Sequence, residues 1–165
     1  MFFLKRFLLI LWRIWFYVLC SVPVILFFPF LALVLLFPNG YNVIFWYARN
    51  VWASFILFGM GFYIKKNLIP ELDKKKSYLL VANHASYIDP FVMLRLFKTP
   101  FVFVGKKELD KIPFFGFLYR RAAILVDRAK KESRFAVYGQ ASSKLDKGYS
   151  VCIFPEKDYL DETIL

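Results

Sequence analysis

Residues 14–37 (IWFYVLCSVPVILFFPFLALVLLF) form an unbroken run without a charged side chain. A stretch of that length crosses about 30 Å of hydrocarbon as an α-helix, and few soluble folds can bury it. A second apolar stretch, residues 41–64, follows the turn signal Pro38-Asn39-Gly40 and is broken only by Arg49-Asn50. Pro23 and Pro29 lie inside the first run, so a kinked or shallow path is expected there. A cleaved secretory leader fits badly, because no small-residue cleavage site follows the first run and more apolar chain comes at once. An arginine at mid-bilayer is costly unless it snorkels. Arg49 therefore favours a re-entrant helical hairpin over two full spans.

Charge divides the chain at the same place. Residues 1–64 carry Lys5, Arg6, Arg13 and Arg49 and no acidic residue, whereas residues 65–165 carry 19 basic and 12 acidic side chains. We read residues 1–64 as a membrane-anchoring hairpin and residues 65–165 as a water-facing domain. Lys5, Arg6 and Arg13 precede the apolar region and Lys65 and Lys66 follow it. By the positive-inside rule both ends then face the cytoplasm. The formal net charge of +11 would draw the domain to anionic headgroups, at about 1 kcal/mol per basic residue near the surface. Nucleic acid is the usual rival partner of a basic protein, and the strongly apolar N-terminal third argues against it. Cys20 lies in an apolar run and Cys152 in a predicted strand, which suggests neither a disulfide framework nor a metal cluster.

From residue 77 the pattern changes to short apolar runs separated by amphipathic stretches. Residues 78–82, 101–104, 123–126 and 150–154 read as buried strands. Helices are predicted between them over about 87–97, 114–121 and 130–146, the last closing on Lys147-Gly148. Such alternation points to an α/β fold with a largely parallel sheet. Polar chemistry clusters just past each predicted strand: Asn83-His84, then Lys106-Lys107-Glu108, then Asp127-Arg128, then Pro155-Glu156-Lys157. Ligands bind at the carboxyl edge of open α/β sheets, so parallel strands would bring four motifs to one site.

His84 is the only histidine in the chain, and Asp89 follows it by five residues. An imidazole suits general-base work near neutral pH, and a carboxylate on its other ring nitrogen would fix the tautomer and stabilise the imidazolium. Ser86-x-x-Asp89 also fits a capping box, so Asp89 could serve only a helix N-terminus, and His84 could be a satisfied strand-end residue. Serine catalysis lacks its Gly-x-Ser-x-Gly elbow. One histidine and two distant cysteines make no metal-ligand set. What remains is a base that activates the substrate's own hydroxyl without a covalent intermediate. Lys106, Lys107 and Arg128 would bring positive charge to that edge, an arginine gripping phosphate bidentately and a lysine acting as a point charge. A solvated basic face is the plainer reading of each alone.

Asn83 to Asp89 resembles the His-x4-Asp signature of the lysophosphatidic acid acyltransferases, within the glycerolipid acyltransferases. The likeness continues in order. Lys106-Lys107-Glu108-Leu109 with Ile112-Pro113-Phe114-Phe115-Gly116 resembles the family's Lys-x-Glu-Leu…Pro-x-x-Gly stretch. Ala123–Arg128 resembles its second motif, and Phe154-Pro155-Glu156 the opening of its third. The resemblance implies a glycerolipid-acyltransferase-like α/β domain behind an apolar hairpin, and sn-2 acylation of lysophosphatidic acid to phosphatidic acid. The donor would be acyl-CoA or acyl-carrier protein, with membrane lipids as surroundings and no metal or organic cofactor. It further implies His84 and Asp89 as catalytic residues, with Asn83, Ser86, Lys106, Arg128 and Glu156 contacting substrate. Two features depart from the family: Lys157 stands where glycine usually follows the glutamate, and the fourth, proline-containing motif is missing. The latter leads us to expect a catalytic domain incomplete at its C-terminus. The competing readings are a different lysolipid acceptor, or a non-catalytic membrane protein that binds anionic lipid through its basic face.

Overall fold

A computed structural model of the chain describes residues 2–65, 72–73 and 75–155. The first apolar run lies in one helix, α1 (Phe2–Val34), which continues through both Pro23 and Pro29. Its 33 residues extend about 50 Å at 1.5 Å per residue. Among the described residues it is the one helix long and apolar enough to cross a membrane. After a turn at Leu35–Asn39 the second run forms α2 (Gly40–Tyr47), a π-helical turn (Ala48–Trp52) and α3 (Ala53–Gly59). The backbone stays helical across both junctions, so these pieces make one antiparallel second arm. Side chains tie the arms together. Trp15 donates to the Gly59 carbonyl, Trp52 to Cys20 and Tyr47 to Pro23, each at 2.9 Å. The two arms form a helical hairpin, and α1 stays helical through both prolines.

The two arms have different surroundings. Most of α1 is exposed, including Leu4, Ile10, Leu26 and Phe30. The second arm is packed on both sides, against α1 and against α4 (Asp89–Leu96). Arg49, expected to be costly in an apolar setting, is spent on that contact. Its Nε donates to the Phe97 carbonyl at 2.9 Å, just past the end of α4, and its Nη1 to Asn50 at 2.6 Å. Arg95 in turn donates to the Arg49 carbonyl at 3.3 Å. Pairing with a helix-end carbonyl offsets the partial burial of this charge.

The remainder is an α/β unit. Strands β1 (Leu79–Val81), β2 (Phe101–Lys106), β3 (Ala123–Val126) and β4 (Ser150–Ile153) form one sheet in the order β1-β4-β2-β3. Every pairing is parallel, with Leu80 opposite Cys152, Phe103 opposite Cys152 and Val104 opposite Ile124. Parallel neighbours need crossovers, supplied by α4, by α5 (Phe115–Ala122) and by α6 (Lys131–Asp146). A 3₁₀ turn (Lys107–Lys111) follows β2.

Strand alternation sorts the core into two faces. Phe101 and Cys152 pack with Ile88, Phe91 and Leu94 and with Phe16, Ile56 and Leu57 of the hairpin. Val102, Ile124 and Val151 face the other way, toward Val137, Ala141 and Leu145 of α6. The hairpin thus forms one layer over the sheet, with Tyr41 donating to the Phe101 carbonyl at 2.6 Å. Helix α6 stops in a Schellman motif. Gly148, at φ 84°, donates to Leu145 at 2.9 Å and Tyr149 to Lys144 at 3.0 Å.

Close packing makes two glycines respond oppositely to alanine. A Cβ on Gly116, at the start of α5, would collide with the Asp110 backbone carbonyl of the 3₁₀ turn. Mid-helix Gly139 faces open space. Gly116→Ala should cost about 1–3 kcal/mol through overpacking, while Gly139→Ala should stabilise by about 0.4–1 kcal/mol. Thermal unfolding of the purified protein in detergent measures both. Shifts of the same sign would show that the packing at Gly116 is not as described.

Candidate active site

The loop that leaves β1 builds the centre of the site. Asp89 opens α4, where a carboxylate is favoured by the helix dipole and Pro90 presets the first turn. A single oxygen, Oδ2, accepts three contacts: the Ala85 and Ser86 backbone N–H groups at 2.8 Å each, and His84 Nδ1 at 3.2 Å. The Ser86 hydroxyl accepts from the Ile88 N–H at 3.2 Å. Ordering of the loop before α4 and orientation of the histidine are therefore functions of the same carboxylate. Partial burial, the largest single influence, works against ionisation of Asp89. The bonds from His84, Ser86 and Ala85 outweigh it and hold the carboxyl below the usual carboxylate range. An ionised carboxylate only accepts, so Nδ1 must carry the proton toward it. In the neutral ring Nε2 is then the basic nitrogen.

Aromatic side chains fix the imidazole plane from β2 and β4. His84 stacks on Phe154 with ring centres 4.3 Å apart and planes 22° apart. Phe154 in turn stacks at 6.0 Å on Phe103 of β2. The exposure of the His84 side chain falls to 16%, against 27% for Asp89, so the ring is shielded yet reachable. Phe154 was legible only as part of a motif; its role as a platform for His84 depends on the β4–β2 register, which local sequence does not reveal.

The other polar residues lie along the same carboxyl edge, in the order of the strands. Asn83 is exposed beside His84. Lys106 ends β2 opposite Val126 of β3, and Arg128 lies two residues beyond that rung. Lys106 and Arg128 thus leave adjacent strands at the same edge. His84 and Arg128 leave opposite edges of the sheet, three strand spacings or about 14 Å apart at the backbone. Asp127 shapes the loop before α6: its Oδ1 accepts from Ala129 N–H at 3.1 Å, and its own N–H donates to Ser133 at 2.9 Å. Glu156 lies outside the described residues. Among the described residues no cluster of three His, Cys, Asp or Glu side chains is arranged to hold a metal ion.

The segment between β2 and α5 is fastened to the hairpin. Phe114 occupies a γ-turn at φ 61°, ψ −57°, with Phe115 N–H donating to the Pro113 carbonyl at 2.6 Å. A bulky residue rarely adopts that backbone conformation. It carries the Phe114 ring to 5.0 Å from Phe28 of α1, where Phe117 also packs at 5.7 Å. The strand-end loops and the apolar arm are one packed assembly here.

This arrangement, a shielded histidine–aspartate pair with cationic side chains along one sheet edge, can deprotonate a hydroxyl beside an anionic group. Similar proteins carry names that suit it. The chain is 33% identical over 92 residues to a probable 1-acyl-sn-glycerol-3-phosphate acyltransferase of Mycoplasma pneumoniae, covering 53% of this chain and 35% of that protein. It is 32% identical over 87 residues to the 1-acyl-sn-glycerol-3-phosphate acyltransferase of Borreliella burgdorferi, covering 52% and 35%. It is also 34% identical over 87 residues to the lyso-ornithine lipid O-acyltransferase of Rhizobium meliloti, covering 52% and 29%. The matched stretch spans about a third of the length of these relatives. No solved structure matches the chain. The profile of the family described as Acyltransferase matches residues 63–161, well over half of the sequence, and the chain therefore belongs to the acyltransferase family.

Proposed function

We propose that the protein transfers a fatty acyl group from a thioester, acyl-CoA or acyl-carrier protein, to the sn-2 hydroxyl of lysophosphatidic acid, giving phosphatidic acid. The observation that carries this reading is the His84–Asp89 contact at 3.2 Å on the carboxyl edge of the parallel sheet. His84 Nε2 takes the hydroxyl proton as the acceptor oxygen attacks the thioester carbonyl. Asp89 holds the ring and stabilises the imidazolium. Collapse of the tetrahedral adduct expels the thiolate, and the imidazolium returns the proton to it. Lys106 and Arg128 supply positive charge for the acceptor phosphate, with Asn83, Ser86 and Glu156 assigned to the substrate by motif. The Rhizobium relative named for lyso-ornithine lipid favours one second reading, the same chemistry on a phosphate-free lysolipid. The helical hairpin serves as the anchor, with both of its ends on the cytoplasmic side and the site at that membrane face.

Acyl transfer by membranes holding matched amounts of wild type and variants tests the chemistry. His84→Ala should lower turnover by about 10²–10⁴-fold, the usual contribution of a general base, while membrane attachment persists because the anchor lies elsewhere. Asp89→Asn should impair turnover as well, since an amide cannot stabilise the imidazolium. Near-normal transfer by His84→Ala would end this mechanism.

Kinetics with both substrates varied separate the roles of the basic residues. Arg128→Ala should raise KM for lysophosphatidic acid about tenfold or more, the value of a charge-assisted hydrogen bond, with little change for the thioester. A loss confined to the thioester would remove Arg128 from the acceptor site.

The topology can be read by thiol labelling. Leu4→Cys and Lys66→Cys, each introduced with Cys20 and Cys152 replaced by alanine, should both react from the cytoplasmic face. Labelling from opposite faces would exclude the hairpin as a same-side anchor.

A further inference from the structure

One polar side chain at the strand-end edge belongs to no motif and has no assigned role. Tyr119 sits on α5, one turn after Phe115, and the two rings stack at 5.1 Å and 24°. Its hydroxyl rests against β2 at Gly105, at the point where a Cβ would collide with it. Any larger residue at 105 would expel the phenol, so glycine here leaves a slot. Gly105 pairs with Leu125 and Lys106 with Val126, which sets the hydroxyl one rung below Lys106 and close to the loop of Arg128.

The slot also faces the histidine. Phe101, Phe103 and Gly105 share one face of β2 by strand alternation, and Phe103 carries the Phe154 ring on which His84 stacks. The hydroxyl therefore occupies the next same-face position along β2, about 7 Å beyond Phe103. The phenol thus lies on the sheet face of the histidine platform, toward the loop of Arg128.

Its chemistry suits an anion. The Tyr119 side chain is half-buried, and a phenol in that setting keeps an apolar body and a hydroxyl open to a partner at the edge. Burial pushes its pKa up, with Arg128 pulling it down and Glu108 and Asp110 adding to the rise. It stays a protonated donor at neutral pH. Glu108, Asp110 and Asp127 oppose an anion nearby, and Lys106, Lys107, Lys111 and Arg128 on the same loops exceed them by one charge.

We propose that the Tyr119 hydroxyl donates a hydrogen bond to the acceptor lipid's phosphate beside Arg128, and so helps select phosphate-bearing acceptors. This rests on the acyl-transfer reading above. Tyr119→Phe in the full chain tests it, because the phenyl ring keeps the stack on Phe115 and removes only the oxygen. Kinetics are compared for lysophosphatidic acid and for monoacylglycerol of the same acyl chain, with glycerol 3-phosphate as a competing inhibitor. The expected result is a roughly tenfold higher KM for lysophosphatidic acid, the value of one hydrogen bond to a charged group. The inhibition constant of glycerol 3-phosphate should rise by the same factor, with kcat, the thioester KM, monoacylglycerol turnover and the unfolding temperature unchanged. Unaltered KM and inhibition constants would overturn the proposal. So would an equal loss on both acceptors, or a fall in kcat alone. His84→Ala run in parallel separates the two readings. If wild-type transfer does not depend on His84, both fall; if it does and Tyr119→Phe behaves as wild type, only the phosphate contact falls.

Discussion

One oxygen atom organises the centre of this protein. Asp89 Oδ2 terminates the loop from β1, starts α4 and orients His84, through contacts of 2.8 Å, 2.8 Å and 3.2 Å. Three donors on one acceptor keep the carboxylate ionised despite its partial burial. The histidine cannot be positioned without also positioning the helix. Since α4 packs on the hairpin's second arm, the geometry of the imidazole is connected through that oxygen to the apolar layer over the sheet.

That layer also holds the ends of the elements it covers. Arg49 closes the end of α4 by bonding the Phe97 carbonyl, and Tyr41 bonds the Phe101 carbonyl where β2 begins. At the opposite edge of the sheet Phe28 of α1 receives Phe114 and Phe117. The hairpin therefore grips the α/β unit at both ends of its strands. The site is thereby held at a set height relative to α1.

The regular elements were legible because their signals are local. Short apolar runs gave the four strands to within two residues at each end, and Gly148 marked the stop of α6 as expected. His84 and Asp89 were legible because five residues separate them within one loop. The aromatic platform was not, since Phe103 and Phe154 meet only through a register between β2 and β4 that lie far apart in sequence. Arg49 misled for a related reason. Its partner carbonyl is 48 residues away, so the chain around it shows an isolated charge where the fold supplies a bond. Tyr119 was invisible for the same cause, its sole sequence trace being a glycine inside a strand.

The order β1-β4-β2-β3 also has a consequence for synthesis. Among the four described strands, β4 follows the others in sequence yet lies between β1 and β2, so within this sheet β1 gains its hydrogen-bonded neighbour only when β4 enters. During translation α1 can engage a bilayer early, and β2 can pair with β3, while His84 waits without its Phe154 platform. Long-range parallel pairing is the slow kind, and an unpaired edge invites association with other chains. Joining of β1 to the sheet and placement of the Phe154 ring on His84 thus both await β4.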